Sequence, residues 1–248
     1  MKKELKKERE VIASMFNGIA ERYDLLNLML SFGIDTLWRA KLVKFILAGK
    51  PSSILDIACG TGDLALIFGK RGVATIGADI SANMLSVAWK KAEKRFDGEG
   101  GVGREGSTKR VEKPSFILAS ADDLPFENES FDAVTISFGI RNFEKRAEAL
   151  SEILRVLKPG GSLAILEFAS PTNTIWKALY GFYLKHFVPL VGRLVSGDKY
   201  AYRYLTDSIE SFPKYESFCK EMRDAGFDEC RFRSLSGGIA ALYTAYKK

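Results

Sequence analysis

The segment Leu55-Asp56-Ile57-Ala58-Cys59-Gly60-Thr61-Gly62-Asp63-Leu64-Ala65 reads as a strand that runs through a Gly-x-Gly turn into a helix. Glycine at such a turn lets backbone approach a ligand where a Cβ would not fit. Gly60-Thr61-Gly62 with Ala65 also satisfies the dinucleotide fingerprint G-x-G-x-x-G/A, which any nucleotide-binding open sheet can show. Two acids help to separate the readings. Asp56 lies inside the strand and Asp63 opens the helix, and carboxylates at both ends of the loop suit a cationic ligand better than a pyrophosphate, which favours bare helix N-termini. Asp79 ends the next strand, where a carboxylate can accept hydrogen bonds from both ribose hydroxyls. After the third strand comes Ala121-Asp122-Asp123-Leu124-Pro125, where an acid beside a backbone amide can read the amine and ring nitrogen of adenine. As an isolated motif it is equally a turn built on Asp and Pro.

These residues need elements to hold them. Short apolar runs at Ile54–Ala58, Val73–Ala78, Phe116–Ala119, Ala133–Phe138 and Leu163–Phe168 alternate with helix-like stretches near Asp63–Lys70, Ala82–Arg95 and Lys145–Leu157. That alternation predicts an α/β protein with a parallel sheet and crossover helices. Lys158-Pro159-Gly160-Gly161 is a helix stop. Tyr215–Ala225 reads as a further helix, and Phe227–Arg233 with Ala240–Ala245 as two strands close enough to pair, for a sheet of about seven strands. In front of this domain, residues 1–50 form a helical flap. Val11, Ile12, Met15, Phe16 and Ile19 mark one amphipathic helix and Thr36–Leu47 a second. Residues 51–248 are the main domain. Within it, 97–113 is a flexible charged insertion and 171–210 an irregular aromatic-rich segment.

The composition limits the function classes. Among 248 residues, 37 Lys+Arg stand against 31 Asp+Glu, 46% are apolar and one is histidine. A net charge of +6 with interleaved acids is too mild to argue for nucleic acid. Cys59, Cys219 and Cys230 form no CxxC pair, so no zinc ribbon or disulfide framework is expected, and no metal-ligand cluster is visible. The charged first ten residues lack the apolar run of a signal peptide, and no window is apolar enough for a membrane span. A reduced, cytoplasmic location follows.

An acid in strand one four residues before a Gly-x-Gly, an acid ending strand two and Ala-Asp after strand three resemble the class I S-adenosylmethionine-dependent methyltransferases. A closer resemblance runs nearly end to end. Phe16-Asn17-Gly18-Ile19-Ala20-Glu21-Arg22-Tyr23-Asp24-Leu25-Leu26-Asn27, Ser31-Phe32-Gly33-Ile34, Trp38-Arg39, Ser137-Phe138-Gly139-Ile140-Arg141-Asn142, Glu152–Gly161 and Tyr202-Arg203-Tyr204-Leu205 are similar to the menaquinone/ubiquinone biosynthesis C-methyltransferases. The 97–113 insertion and the charged N-terminus depart from that pattern.

The resemblance implies a Rossmann-like, doubly wound sheet with helices on both faces. It also implies S-adenosylmethionine as cofactor and a prenylated quinol, demethylmenaquinol above all, as the substrate methylated on a ring carbon. Asp56, Gly60, Thr61, Gly62, Asp79, Ala121, Asp122 and Ser137 would form the cofactor site. Arg141 and Asn142 would enter the same crevice and hydrogen-bond a quinol oxygen, with Arg141 as an anion stabiliser or water-orienting group or, alternatively, in a surface ion pair with Glu144. Tyr23 would close from the flap or simply pack. His186 reads as interfacial rather than catalytic. The stretch 176–195 has the aromatic and basic mixture of a surface that rests on the inner face of a bilayer or wraps a prenyl tail; its other reading is a homodimer contact or lid packing. A methyltransferase for a water-soluble molecule satisfies the cofactor motifs equally. For an NAD-dependent dehydrogenase the sequence offers no plausible catalytic Tyr-x-x-x-Lys.

Overall fold

A computed structural model describes residues 8–97, 111–183, 186 and 199–248, without the side chains of Leu30 and residues 199–203. Most of the 97–113 insertion, much of 176–195 and the side chains of Tyr202 and Arg203 lie outside the described residues.

Seven strands form one sheet: β1 (Ser53–Ile57), β2 (Ala74–Asp79), β3 (Ser115–Leu118), β4 (Phe131–Ser137), β5 (Leu157–Phe168), β6 (Asp228–Leu235) and β7 (Ala240–Tyr246). Their order is β3-β2-β1-β4-β5-β7-β6, and only β7 runs antiparallel to its neighbours. The order reverses between β1 and β4, which opens a crevice at the carboxyl ends of those strands.

The central strands are apolar on both faces because helices cover both. Successive residues point to opposite sides. Ile54, Ala133 and Ala164 pack under α3 (Ile34–Ala48) and α4 (Asp63–Gly69), with Trp38, Leu42, Ile46 and Phe68. Leu55, Val134 and Ile165 face the other way, onto Leu150 and Ile153 of α6 (Arg146–Val156) and Phe218 and Met222 of a helix at Glu216–Asp224. Helix α5 (Ala82–Phe96) starts at Ser81, whose Oγ accepts the Met84 N–H at 3.2 Å.

Three elements differ from the sequence reading. The flap holds α1 (Arg9–Ile19) and also α2 (Tyr23–Ser31), where sequence showed no element. Gly33, in the left-handed region at φ 73°, separates α2 from α3. The aromatic-rich segment contains two helices, α7 (Thr174–Phe182) and α8 (Lys199–Ser211), before α9 (Glu216–Asp224). Finally, Lys158–Gly161 does not precede β5 but bulges within it. Phe131 pairs with Leu157 and Ala133 with Ser162, while Lys158 Nζ bonds Asp132 at 2.7 Å. Among the described residues no helix is long and apolar enough to cross a membrane.

Candidate active site

The crevice at the strand ends is an open cleft of about 810 Å³. Its floor is the glycine loop and the ends of β2 and β4; its roof is the flap, through Ile12, Phe16 and Tyr23. Two non-glycine residues at the strand ends, Ala58 (φ 53°) and Phe138 (φ 60°), are held left-handed, a strain typical of functional loops. Gly139 is dictated by proximity: a Cβ there would lie 2.4 Å from that of Ala58.

Gly60, Asp79, Ala121, Asp122 and Ser137 all line this cleft. The Asp79 carboxylate accepts the backbone N–H of Gly60 at 2.8 Å and of Ser81 at 2.9 Å, so one side chain fixes the glycine loop against β2. Burial pushes its carboxyl up, and the two amides oppose that rise. Asp122 is gripped by both oxygens on Arg9 NH2, at 2.7 and 2.9 Å. Burial alone would raise its carboxyl, but the Ser120 hydroxyl and Arg9 hold it below the usual range.

Asp56, Thr61 and Gly62 lie off the cleft lining. Asp56 is buried and accepts the Thr135 hydroxyl at 2.7 Å; burial pushes its carboxyl up to about 7. Thr61 donates to Asp24 of the flap at 2.5 Å. Gly62 starts α4 at φ 82°, where a Cβ would meet the Phe116 ring at 2.9 Å. Nor do the two loop acids present a negative field to a ligand. Asp63 is paired with Lys91 at 2.6 Å, and Asp56 is partly neutral near pH 7. The charge argument for a cationic ligand therefore fails on these two residues, and the acids that reach the cleft are Asp79 and Asp122. Lys91 also bonds Asp24 at 2.8 Å, so it ties the flap to the loop. Asn17 Oδ1 does the same for α5, accepting from the Ser81 hydroxyl at 2.7 Å and the Asn83 N–H at 3.1 Å.

Beyond Phe138 and Asn142 the cleft adjoins a second chamber of about 780 Å³, whose lining includes Tyr23, Asn27, Arg39, Arg141 and Phe168. Arg141 is 5% exposed and makes no surface pair with Glu144. Instead NH1 bonds Glu167 Oε1 at 2.7 Å and the Phe138 carbonyl at 2.5 Å, and its guanidinium lies 5.3 Å from the centre of the Phe168 ring. Glu144 accepts the Arg9 N–H at 3.2 Å. Arg39 is balanced in the same way by Asp35 at 2.5 Å. Tyr23 lines both cavities; burial pushes its phenol up, with a hydrogen bond to Asn27 opposing, so it is a donor at neutral pH.

Three buried polar atoms here lack a hydrogen-bond partner: Ser137 Oγ, Arg141 Nε and Asn142 Oδ1. Buried polar atoms without a partner are rare in folded proteins, and three at one spot call for a partner supplied from outside the chain, a water or a ligand. Sequence reasoning missed Glu167, Arg39, Lys91 and Asn27. Glu167 could have been found as the one charge in the apolar run Leu163–Phe168. His186 is exposed and rests on Phe182 at 4.5 Å, outside the lining of either cavity. The Cys59 thiol is pushed well up by burial and presents no reactive thiolate. No group of residues fit to hold a metal occurs among the described residues.

The strand order, the glycine loop at the reversal point and the acids that follow β2 and β3 define a class I S-adenosylmethionine-dependent methyltransferase. Comparison with known proteins makes this narrower. The model of the ubiE/COQ5 methyltransferase family matches residues 2–247, and the chain belongs to that family. It is 44% identical over 92% of its length, and 98% of the relative's, to a demethylmenaquinone methyltransferase of Thermus thermophilus. A ubiquinone/menaquinone biosynthesis C-methyltransferase of Geobacter sulfurreducens is 40% identical, over 98% of this chain and 91% of that one. In fold the chain is similar to magnesium protoporphyrin IX methyltransferase from Synechocystis, solved with S-adenosylhomocysteine bound, with a TM-score of 0.65 over 97% of this chain and all of that one, at 16% identity.

Proposed function

We propose that this enzyme methylates a ring carbon of a prenylated quinol, with demethylmenaquinol as its substrate. One observation carries the reading most. The second chamber, lined by two charge-balanced guanidiniums and the unpartnered atoms of Arg141 and Asn142, opens from the cleft beside Ser137. The names of the relatives point to the same substrate class.

In this reading Asp79 holds the ribose hydroxyls, Asp122 the adenine edge and Ser137 the methionine portion of S-adenosylmethionine. Gly60 and Ala121 give backbone access. When bound, the cofactor supplies an electrophilic methyl group. Asp56, Thr61 and Gly62 support the loop from below. The chain's own residues have two tasks. Holding two reactants in attack geometry contributes roughly 7–11 kcal/mol in well-oriented systems. The remainder comes from a more electron-rich ring, and a phenol with pKa about 10 needs help to ionise. The Arg141 guanidinium stabilises the negative charge that builds on the quinol oxygen through Nε. Asn142 accepts the hydroxyl hydrogen bond that orients the ring, and Tyr23, protonated, donates from the flap.

Incubation with methyl-labelled S-adenosylmethionine and short-chain demethylmenaquinol, under reducing anaerobic conditions, tests the reading. Label on a ring carbon, stronger than with the matching benzoquinol, is expected. No label in either quinol, with cofactor bound, overturns it.

A further inference from the structure

Beyond Phe168 the second chamber adjoins another cavity. Ser31, Phe168 and Leu205 form a common wall with a third cavity, a trough of about 840 Å³ between α2, α3 and α7. Among the described residues no charged side chain lines it. Its indole nitrogens are turned away. The indole N–H of Trp38 donates to Ser236 Oγ at 2.9 Å and that of Trp176 to the Ser236 carbonyl at 3.3 Å, so both indole nitrogens are committed to one residue outside the trough. Burial pushes the Tyr183 phenol up to about 12, so it adds no charge. At the outer rim Phe32 is 67% exposed and Leu179 56% exposed.

An uncharged trough that shares a wall with the ring chamber suits an apolar, flexible group attached to whatever occupies that chamber. Water gains few partners on such walls, and apolar area left open there is costly. We propose that this trough is the binding subsite for the first isoprenoid units of the quinol's side chain. The order of cavities then matches the order of groups in the two reactants: nucleoside and sulfonium in the cleft, ring beside Arg141 and Asn142, tail along Trp38, Trp176 and Leu179. This rests on the quinol reading above. It adds that the enzyme selects substrates by their tails as well as by their rings.

The test compares a demethylmenaquinol without a tail with its diprenyl homologue, on wild type and on Leu179→Glu. Leu179 is exposed on α7, outside the cofactor cleft and the ring chamber, so a carboxylate there leaves folding intact. At about 0.8 kcal/mol for each buried methylene, a lodged tail lowers KM by at least about tenfold. Wild type is expected to show that drop. Leu179→Glu is expected to lose it, with KM for the tailless quinol and cofactor affinity unchanged. A wild-type KM indifferent to the tail overturns the proposal, as does a Leu179→Glu enzyme that keeps the full preference or is damaged equally with both substrates. Absence of methylation on either quinol by wild type refutes instead the quinol reading on which the proposal stands.

Discussion

Glu167 holds Arg141 in place, and its removal should be felt first in stability. The acid is fully buried and the guanidinium nearly so, at 0% and 6% side-chain exposure, and NH1 and Oε1 are 2.7 Å apart. Oε1 also accepts the Phe168 N–H at 2.8 Å, and Oε2 the Arg141 N–H at 3.2 Å. Glu167→Gln keeps the volume and one acceptor oxygen. However, it places an amide nitrogen against the Arg141 N–H, donor facing donor, and leaves the guanidinium without its counter-charge. Breaking a buried pair by removing one partner costs about 3–5 kcal/mol, or roughly 10² to 10⁴ in the unfolding constant. Urea unfolding followed by tryptophan fluorescence, with an unchanged slope, reads that loss directly. The double variant Arg141→Met/Glu167→Gln removes the stranded charge and should recover most of the lost stability, although not activity. A single-variant cost under about 1 kcal/mol, the range of exposed pairs, would refute the reasoning. So would a double variant less stable than the single.

Other perturbations have equally definite signs. Asp79→Ala removes the acceptor for the Gly60 and Ser81 amides and the proposed ribose contact; calorimetry should show cofactor affinity weakened roughly 10–100-fold, the value of one or two charge-assisted bonds. Asp56 has a folded carboxyl near 7 against 3.8 when free. Over that window the folded state binds the extra proton, so stability is greatest at the acid end and falls as pH rises, by at most about 1.4 kcal/mol per pH unit, then levels off. Asp56→Asn, which can still accept from Thr135, should lack that fall when unfolding is compared at pH 5 and pH 8. Arg9, half exposed, covers Asp122. Arg9→Ala should change cofactor affinity by no more than about fivefold and lessen its salt dependence, because exposed pairs contribute about 0–1 kcal/mol.

The sheet was legible because buried parallel strands are written as short apolar runs between helices, and no other pattern satisfies both faces. Motifs carried over residue by residue placed Asp79, Asp122, Ser137, Arg141, Asn142 and Tyr23 at one pair of adjoining cavities. What the sequence concealed depended on tertiary distance. Glu144 stands three residues from Arg141, but a 3-10 turn at Ile140–Asn142 directs the guanidinium inward to Glu167, 26 residues away. Asp56 and Asp63 looked like ligands for a cation because spacing does not reveal that Thr135 and Lys91 already occupy them. Helices α2 and α7 escaped notice because much of their apolar surface faces solvent or the trough instead of the core, as with Leu25, Leu28, Ile175 and Leu179, which blurs the usual amphipathic pattern.

The central claim is that the cleft and the chamber behind Ser137 form one reaction site. A crystal structure of the enzyme with S-adenosylhomocysteine tests it most directly. The account predicts the ribose on Asp79, the adenine against Asp122 with Arg9 displaced, and the sulfur at the Ser137–Asn142 opening, facing the chamber lined by Arg141. A sulfur directed away from that chamber, or a nucleoside bound without contact to Asp79, would contradict it.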